Sequence, residues 1–341
     1  METSNNLKYY NELDDEGSFD WPCNYRKHPQ KKEAERLPIA VQQFVQTQDD
    51  SSRSFNLTYK AARFEESWLL DSLGYFYEQK WISDVLRKIK TGKEASVYLC
   101  RSGDQVNAPF VAAKIYRPRR LRNLRDDHIY REGRIDLDDE GHELHDEKSI
   151  HAIVTRSHYG EQVRHRSWIA YEYTALQALA TAGVDVPRPY EMAHNAILME
   201  YLGDEFVPAP TLSEVDLEPD ETLPLFTRLR HNLDRMLAAG RIHGDLSAYN
   251  VLYWKDKIAL IDFPQVISPV QNRNAYAIFQ RDVNRLCEYF IKQGLTLDQR
   301  RIASDLWTSR GYRVRSDIHP VLLDADDPAD RRLWNLGEYS K

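Results

Sequence analysis

RIHGDLSAYNVLYWKDKIALIDFPQ, residues 241–265, is the stretch whose reading decides the fold. Its apolar and β-branched positions, Ile242, then Val251, Leu252 and Tyr253, then Ile258, Leu260 and Ile261, predict a turn, a loop and two short strands. Three polar groups sit between them: Asp245, Asn250 and Asp262. Asp245 and Asn250 are close enough for one loop to aim both at a shared centre, and a hairpin between 250 and 262 returns Asp262 beside that loop. A bland alternative makes Asp245 and Asn250 turn formers in a polar hairpin. The ordered set suits a more demanding chemistry. Phosphoryl transfer needs one carboxylate to take or orient the nucleophile's proton, and an Asn and a second Asp to hold divalent ions.

The order His243-Gly244-Asp245, Asn250, Asp262-Phe263-Pro264 has the layout of the protein-kinase catalytic and metal loops. Upstream, TGKEASVYLCR (91–101) has a single glycine where a nucleotide loop usually has several. Val97 and Leu99 alternate as in a strand, 102–107 reads as a turn, and FVAAKIY (110–116) returns as a second strand. Lys114 lies inside that strand. A buried ammonium is costly unless paired, so it invites an anionic partner such as a phosphate; the alternative is a lysine snorkelling at a sheet face. SWIAYEYTALQALATAG (167–183) predicts a helix stopped by Gly183 and Pro187. Glu172 on it is the acidic residue best placed to pair with Lys114, unless it only complements the dipole of a helix start.

Composition narrows the class. At 341 residues and 42% hydrophobic, the chain can bury a sizeable core. Its formal net charge of -7 supplies no global basic field for nucleic acid. Cys23, Cys100 and Cys287 form neither a disulfide framework nor a zinc pattern, no apolar run approaches a membrane span, and the polar N-terminus is no signal peptide, which predicts a cytoplasmic protein.

Residues 1–62 read as an extension with scattered aromatics (Tyr9, Tyr10, Phe19, Trp21), a short helix around 38–47 and a linker at 46–54. Across 63–90, Phe64, Trp68, Leu69 and Leu73, then Ile82, Val85, Leu86 and Ile89, have helical spacing interrupted at Gly74. Residues 117–167 are dense in charge and hold six of the 11 histidines. There His142 and His145 lie near Asp138, Asp139 and Glu140 without tight ligand spacing, and a solvated loop is the better reading. Arg117 to Arg125 is the one local basic patch able to touch phosphate or RNA. A β-hairpin over 186–203, a linker at PAPTL (208–212), and helices at 223–239, 275–292 and 298–309 complete the chain, with no repeats.

With these pieces in place, the sequence resembles the RIO family of atypical serine/threonine kinases over roughly residues 80–295. TGKEASVY is similar to that family's phosphate loop, AAKIY (112–116) to its lysine strand, and WIAYE (168–172) to its lysine-pairing helix. MEYLGDEFVPAPTL (199–212) is similar to its hinge, and HGDLSAYN (243–250) with IDFPQ (261–265) to its catalytic and metal loops. The resemblance implies an α+β, bilobal protein-kinase-like fold. An antiparallel-sheet N-lobe (63–202, with the charged insertion 117–167) would precede a mainly helical C-lobe (203–341). It implies that Gly92, Lys93, Glu94, Ser96 and Val97 line the ATP site and that Lys114 contacts the phosphates, anchored by Glu172. Glu200 and Leu202 would offer backbone groups to adenine beside Met199. Asp245 would be the catalytic base, with Asn250 and Asp262 holding Mg2+ or Mn2+. Asp262 could itself be phosphorylated, making the protein an ATPase switch. Family members act in small-subunit ribosome maturation. No winged-helix pattern precedes the kinase-like region here and no basic tail follows it, and those are the parts expected to hold ribosomal RNA.

Two rival readings share the same motif. A small-molecule phosphotransferase of the aminoglycoside or choline type uses HGD–N–ID too, but needs an acidic acceptor cleft, and the region after Gln265 is short. A nucleotide-binding assembly factor without turnover would not require every catalytic group to be intact.

Overall fold

The computed structural model describes residues 55, 57–117, 130, 134–155 and 157–312. The aromatics and helix foreseen before residue 55, nearly all of the run Arg117–Arg125, and the polar end after residue 312 lie outside them.

The described chain opens with helix α1 (Arg63–Glu78), followed by strands β1 (Ile82–Thr91), β2 (Ala95–Ser102) and β3 (Phe110–Tyr116). Helices α2 (Glu147–Val154) and α3 (His158–Thr181) lead to β4 (Pro189–Ala193) and β5 (Ala196–Glu200). Helix α4 (Pro219–Ala238), the hairpin β6 (Val251–Trp254) and β7 (Lys257–Leu260), and helices α5 (Ala275–Lys292) and α6 (Gln299–Ser309) follow. The five N-lobe strands form one antiparallel sheet in the order β1-β2-β3-β5-β4. An antiparallel sheet before a helical half makes this the bilobal α+β fold of protein kinases.

Side chains alternate across the sheet, and the alternation assigns its faces. Val111, Ala113 and Ile115 of β3 pack with Tyr98 and Cys100 of β2 against Leu69, Leu73 and Phe76 of α1. The opposite face carries Ala112, Lys114 and Tyr116; Tyr116 packs on Trp168 and Ile169 of α3. Helix α3 links both lobes, since its later residues Ala175, Leu176 and Leu179 join the C-lobe core. There they meet Leu229, Leu233 and Met236 of α4 and Phe279, Val283 and Phe290 of α5.

Three local expectations are corrected. The helical stripe foreseen through residue 90 ends at Glu78, and 82–91 is strand β1. Its register against β2 shifts between Ile82/Asp84, Val85/Arg87 and Lys88/Lys90. Each bulge adds a residue, so inward positions fall three or four apart and imitate a helix. Within 117–167, the expected loop contains α2 and the start of α3. Asp146 caps α2 by accepting from Ser149 N–H at 2.9 Å, and Ser157 caps α3 by accepting from Gly160 N–H at 3.0 Å. Helix α4 begins earlier than Leu223, at Pro219, whose fixed φ suits a first turn.

Candidate active site

Lys114 reaches across the cleft face of β3. Its Nζ lies 2.6 Å from Glu172 Oε1 and 2.7 Å from Asp262 Oδ1. The Lys114 and Glu172 side chains are only 11% and 5% exposed, while Asp262 is 46% exposed into the cleft. Burial alone would lower the Lys114 pKa, but the Asp262 and Glu172 carboxylates outweigh it and hold it well above the ordinary lysine value. Burial likewise pushes Asp262 up, and the Lys114 charge overrides it, leaving that carboxyl below its usual range. Glu172 sits well inside α3, far from either end, so complementing a helix start does not explain it. Its Oε1 also accepts the Phe263 N–H at 3.3 Å, tying the backbone just after Asp262 to α3.

The loop around Asp245 is held from three sides. Gly244 adopts φ +85, and a Cβ there would lie 2.2 Å from the Gln265 carbonyl oxygen, so only glycine fits. The Gly244 N–H donates to Asp282 Oδ2 at 2.8 Å. Arg281 bonds the Gly244 carbonyl, Asp282 Oδ1 (3.1 Å) and Tyr130 Oη (2.8 Å). Burial raises the pKa of Asp282 despite the opposing effects of His243 and Arg281. His243 Nε2 lies 3.0 Å from the Ile261 carbonyl, which can only accept, and its Nδ1 accepts the Asp245 N–H at 3.3 Å; these partners assign the Nε2–H tautomer. Asn250 Nδ2 donates to the Asp245 carbonyl at 2.8 Å. Ile261 N–H donates to the Asn250 carbonyl at 3.0 Å, the bond by which the β6–β7 hairpin returns Asp262 beside Asn250. Asp262 itself has φ +70, a left-handed conformation that Asp tolerates better than most residues.

Lys114, Glu172, Asp245, Asn250 and Asp262 border a cleft of about 800 Å³. Its sheet side presents Val97, Ala112 and Met199; its C-lobe side presents Leu252 and Ile261. Between them runs the 201–211 strap, which crosses from β5 towards β6. Ala209 N–H donates to the Leu202 carbonyl at 2.9 Å, and Tyr253 N–H to the Pro210 carbonyl at 3.0 Å. Ala112 and Leu252 both line this cleft, and the Leu202 N–H makes no hydrogen bond to another described residue.

A family model for the RIO domain matches residues 96–302. The chain belongs to the RIO family. It is 32% identical over 212 residues to a RIO-type serine/threonine-protein kinase Rio1 of Haloferax volcanii, covering 62% of this chain and 64% of that protein. Its match to the Thermoplasma acidophilum protein of the same name is 31% over 135 residues, covering 40% and 69% of the two chains. With the Chaetomium thermophilum serine/threonine-protein kinase RIO1 it shares 27% over 245 residues, 67% of this chain and 44% of that one. The chain thus spans less than two thirds of the length of the first and third of these relatives.

Of the RIO-type site residues expected from the sequence, Gly92, Lys93, Glu94, Val97, Lys114, Glu172, Met199, Glu200, Leu202, Asp245, Asn250 and Asp262 border the one cleft. Ser96 does not. It stands opposite Ile115 in the β2–β3 register and is 2% exposed, so its side chain points towards α1. The Glu200 N–H is spent on the Arg188 carbonyl (2.8 Å). Sequence reading passed over Ala112, Leu252 and Ile261, whose apolar character marks core and cleft alike. It gave no site role to Arg281, Asp282 or Arg285, whose role shows only once α5 packs beneath the loop. Asp138, Glu140 and His142 come within 4.8 Å of one another on an exposed turn, without His145 or Asp139.

Proposed function

We propose that this RIO-family chain is an ATP-dependent serine/threonine protein kinase. One observation carries the proposal: the Lys114 ammonium lies between Glu172 and Asp262 at 2.6 and 2.7 Å, at a cleft also bordered by Asp245 and Asn250. The cleft volume falls in the range of nucleotide-sized sites, roughly 300–1,000 Å³. In this reading adenine lies between Ala112 and Leu252, with the Leu202 N–H as its donor. Glu172 holds the Lys114 ammonium against the triphosphate oxygens, and the ammonium offsets their charge. Asp245, 46% exposed, receives the acceptor hydroxyl and takes its proton.

The donor set fits a hard divalent cation. Asn250 spends its Nδ2 on the loop backbone and Asp262 spends Oδ1 on Lys114, leaving Asn250 Oδ1 and Asp262 Oδ2, two oxygen ligands of the kind Mg2+ or Mn2+ prefers. Such an ion, when bound, neutralises charge on the phosphate oxygens. Three phosphate destinations follow from these groups: a protein hydroxyl, water, or the Asp262 carboxylate. In the last, the γ-phosphorus bond to ADP breaks as a bond to the carboxylate oxygen forms, and water later releases phosphate.

Mass spectrometry of the protein incubated with ATP and Mg2+ separates these. Phosphoserine or phosphothreonine on the protein or on an added protein substrate supports the kinase. An acyl-phosphate at Asp262 as the sole product supports the ATPase switch. Absence of both, with no phosphate released, contradicts the proposal.

A further inference from the structure

Arg285 lies one turn beyond Arg281 on α5, which packs against the short 3-10 turn Ala248–Asn250. Its Nη1 sits 2.8 Å from Asp245 Oδ1. Neither side chain is buried: Arg285 is 42% exposed and Asp245 46%. Three other cations near this loop are occupied. Lys114 is held by Glu172 and Asp262, Arg281 by Asp282, the Gly244 carbonyl and Tyr130, and Arg134 by the Pro264 and Val266 carbonyls. Arg285 spends one of its five N–H donors on Asp245 and makes no second hydrogen bond to a described residue. Glu288, three positions along the same exposed face, forms no ion pair with it.

A hydroxyl brought to Asp245 must therefore approach a guanidinium with unused, solvent-facing donors. It arrives at a cleft already loaded with phosphate charge, which would repel an acidic acceptor unless a cation faces it. From this we infer that Arg285 is a specificity-determining residue, selecting acceptor segments with a carboxylate or phosphate next to the hydroxyl. The acceptor's anion takes the guanidinium in the fork geometry that Arg offers to carboxylates, and Asp245 Oδ1 is released for the hydroxyl. A basic segment meets an unscreened like charge there. Discrimination of this kind comes as much from the repelled partner as from the favoured one. The inference rests on the kinase reading for the role of Asp245, but binding tests it without turnover.

The test is fluorescence anisotropy with two labelled peptides of equal length, serine flanked by glutamates or by lysines, with a non-hydrolysable ATP analogue and Mg2+. The wild type should bind the glutamate peptide at least about fivefold tighter, an exposed charge-assisted contact being worth about that factor. Arg285→Lys, which keeps the charge but loses the fork, should keep the direction of the preference and reduce its size. Arg285→Glu should invert it, with a total swing of at least about tenfold. Equal affinity, no binding of either peptide, or a preference unchanged in Arg285→Glu overturns the inference. Phosphoryl transfer is scored separately. Selective binding without any phosphorylation would remove the kinase reading and leave the selection by Arg285 standing.

Discussion

Replacing Lys114 by Met is the sharpest perturbation of the ion-pair cluster at the cleft. It leaves Glu172, 5% exposed, as an unpaired buried carboxylate, and Asp262, 46% exposed, as a second negative group nearby. Breaking a buried ion pair from one side costs roughly 3–5 kcal/mol, because the remaining charge keeps its desolvation penalty. Asp262 adds little, since solvent screens it. The low end, about 3 kcal/mol, is expected. For a body of this size that lowers Tm by roughly 6–12 °C. The paired change Lys114→Met with Glu172→Met removes the stranded charge and should recover about 2 kcal/mol, less about 1 kcal/mol for the Phe263 N–H that loses its acceptor. Urea unfolding of wild type, both single variants and the double variant measures the coupling. Costs that simply add within about 0.5 kcal/mol would refute the claim that Lys114 and Glu172 form a desolvated pair.

Asp262→Asn should be least different from wild type in acid. The folded Asp262 pKa lies below the ordinary value, so its contribution to stability is fully present above pH ~5 and fades as pH falls through the folded value. Asn tolerates the φ of +70, so backbone strain does not confound the comparison; a stability gap that persists or widens towards pH 3 would contradict the assignment. Gly244→Ala should cost at least about 2 kcal/mol and abolish turnover, because a Cβ would lie 2.2 Å from the Gln265 carbonyl oxygen at φ +85. Near-normal stability by thermal unfolding would show that the 243–245 turn is not held as described.

Much of the site was legible because its chemistry is written in short, ordered segments. HGD, Asn250 and Asp262 lie within 20 residues, and the hairpin that closes them has a plain strand pattern. Lys114 betrayed itself as a charge in an apolar strand, and Glu172 as the acid on the next strong helix. What escaped was long-range or register-dependent. Three bulges hid β1 behind a helical spacing. The two-residue alternation that puts Val97 on the cleft turns Ser96 away from it. The brace of Arg281 and Asp282 on Gly244, and the contact of Arg285 with Asp245, join residues about 40 apart, and no local pattern announces them. Among the described residues no helix is long and apolar enough to cross a membrane.

The most direct measurement is release and incorporation of radiolabelled phosphate from ATP with Mg2+ by wild type, Asp262→Asn and Asp245→Ala, each checked for an unchanged fold. The account predicts turnover in the wild type and a loss of at least about a hundredfold in both variants, as the proposed roles of Asp262 in holding the ion and Asp245 in taking the proton require. Unchanged turnover in Asp262→Asn and Asp245→Ala would contradict it.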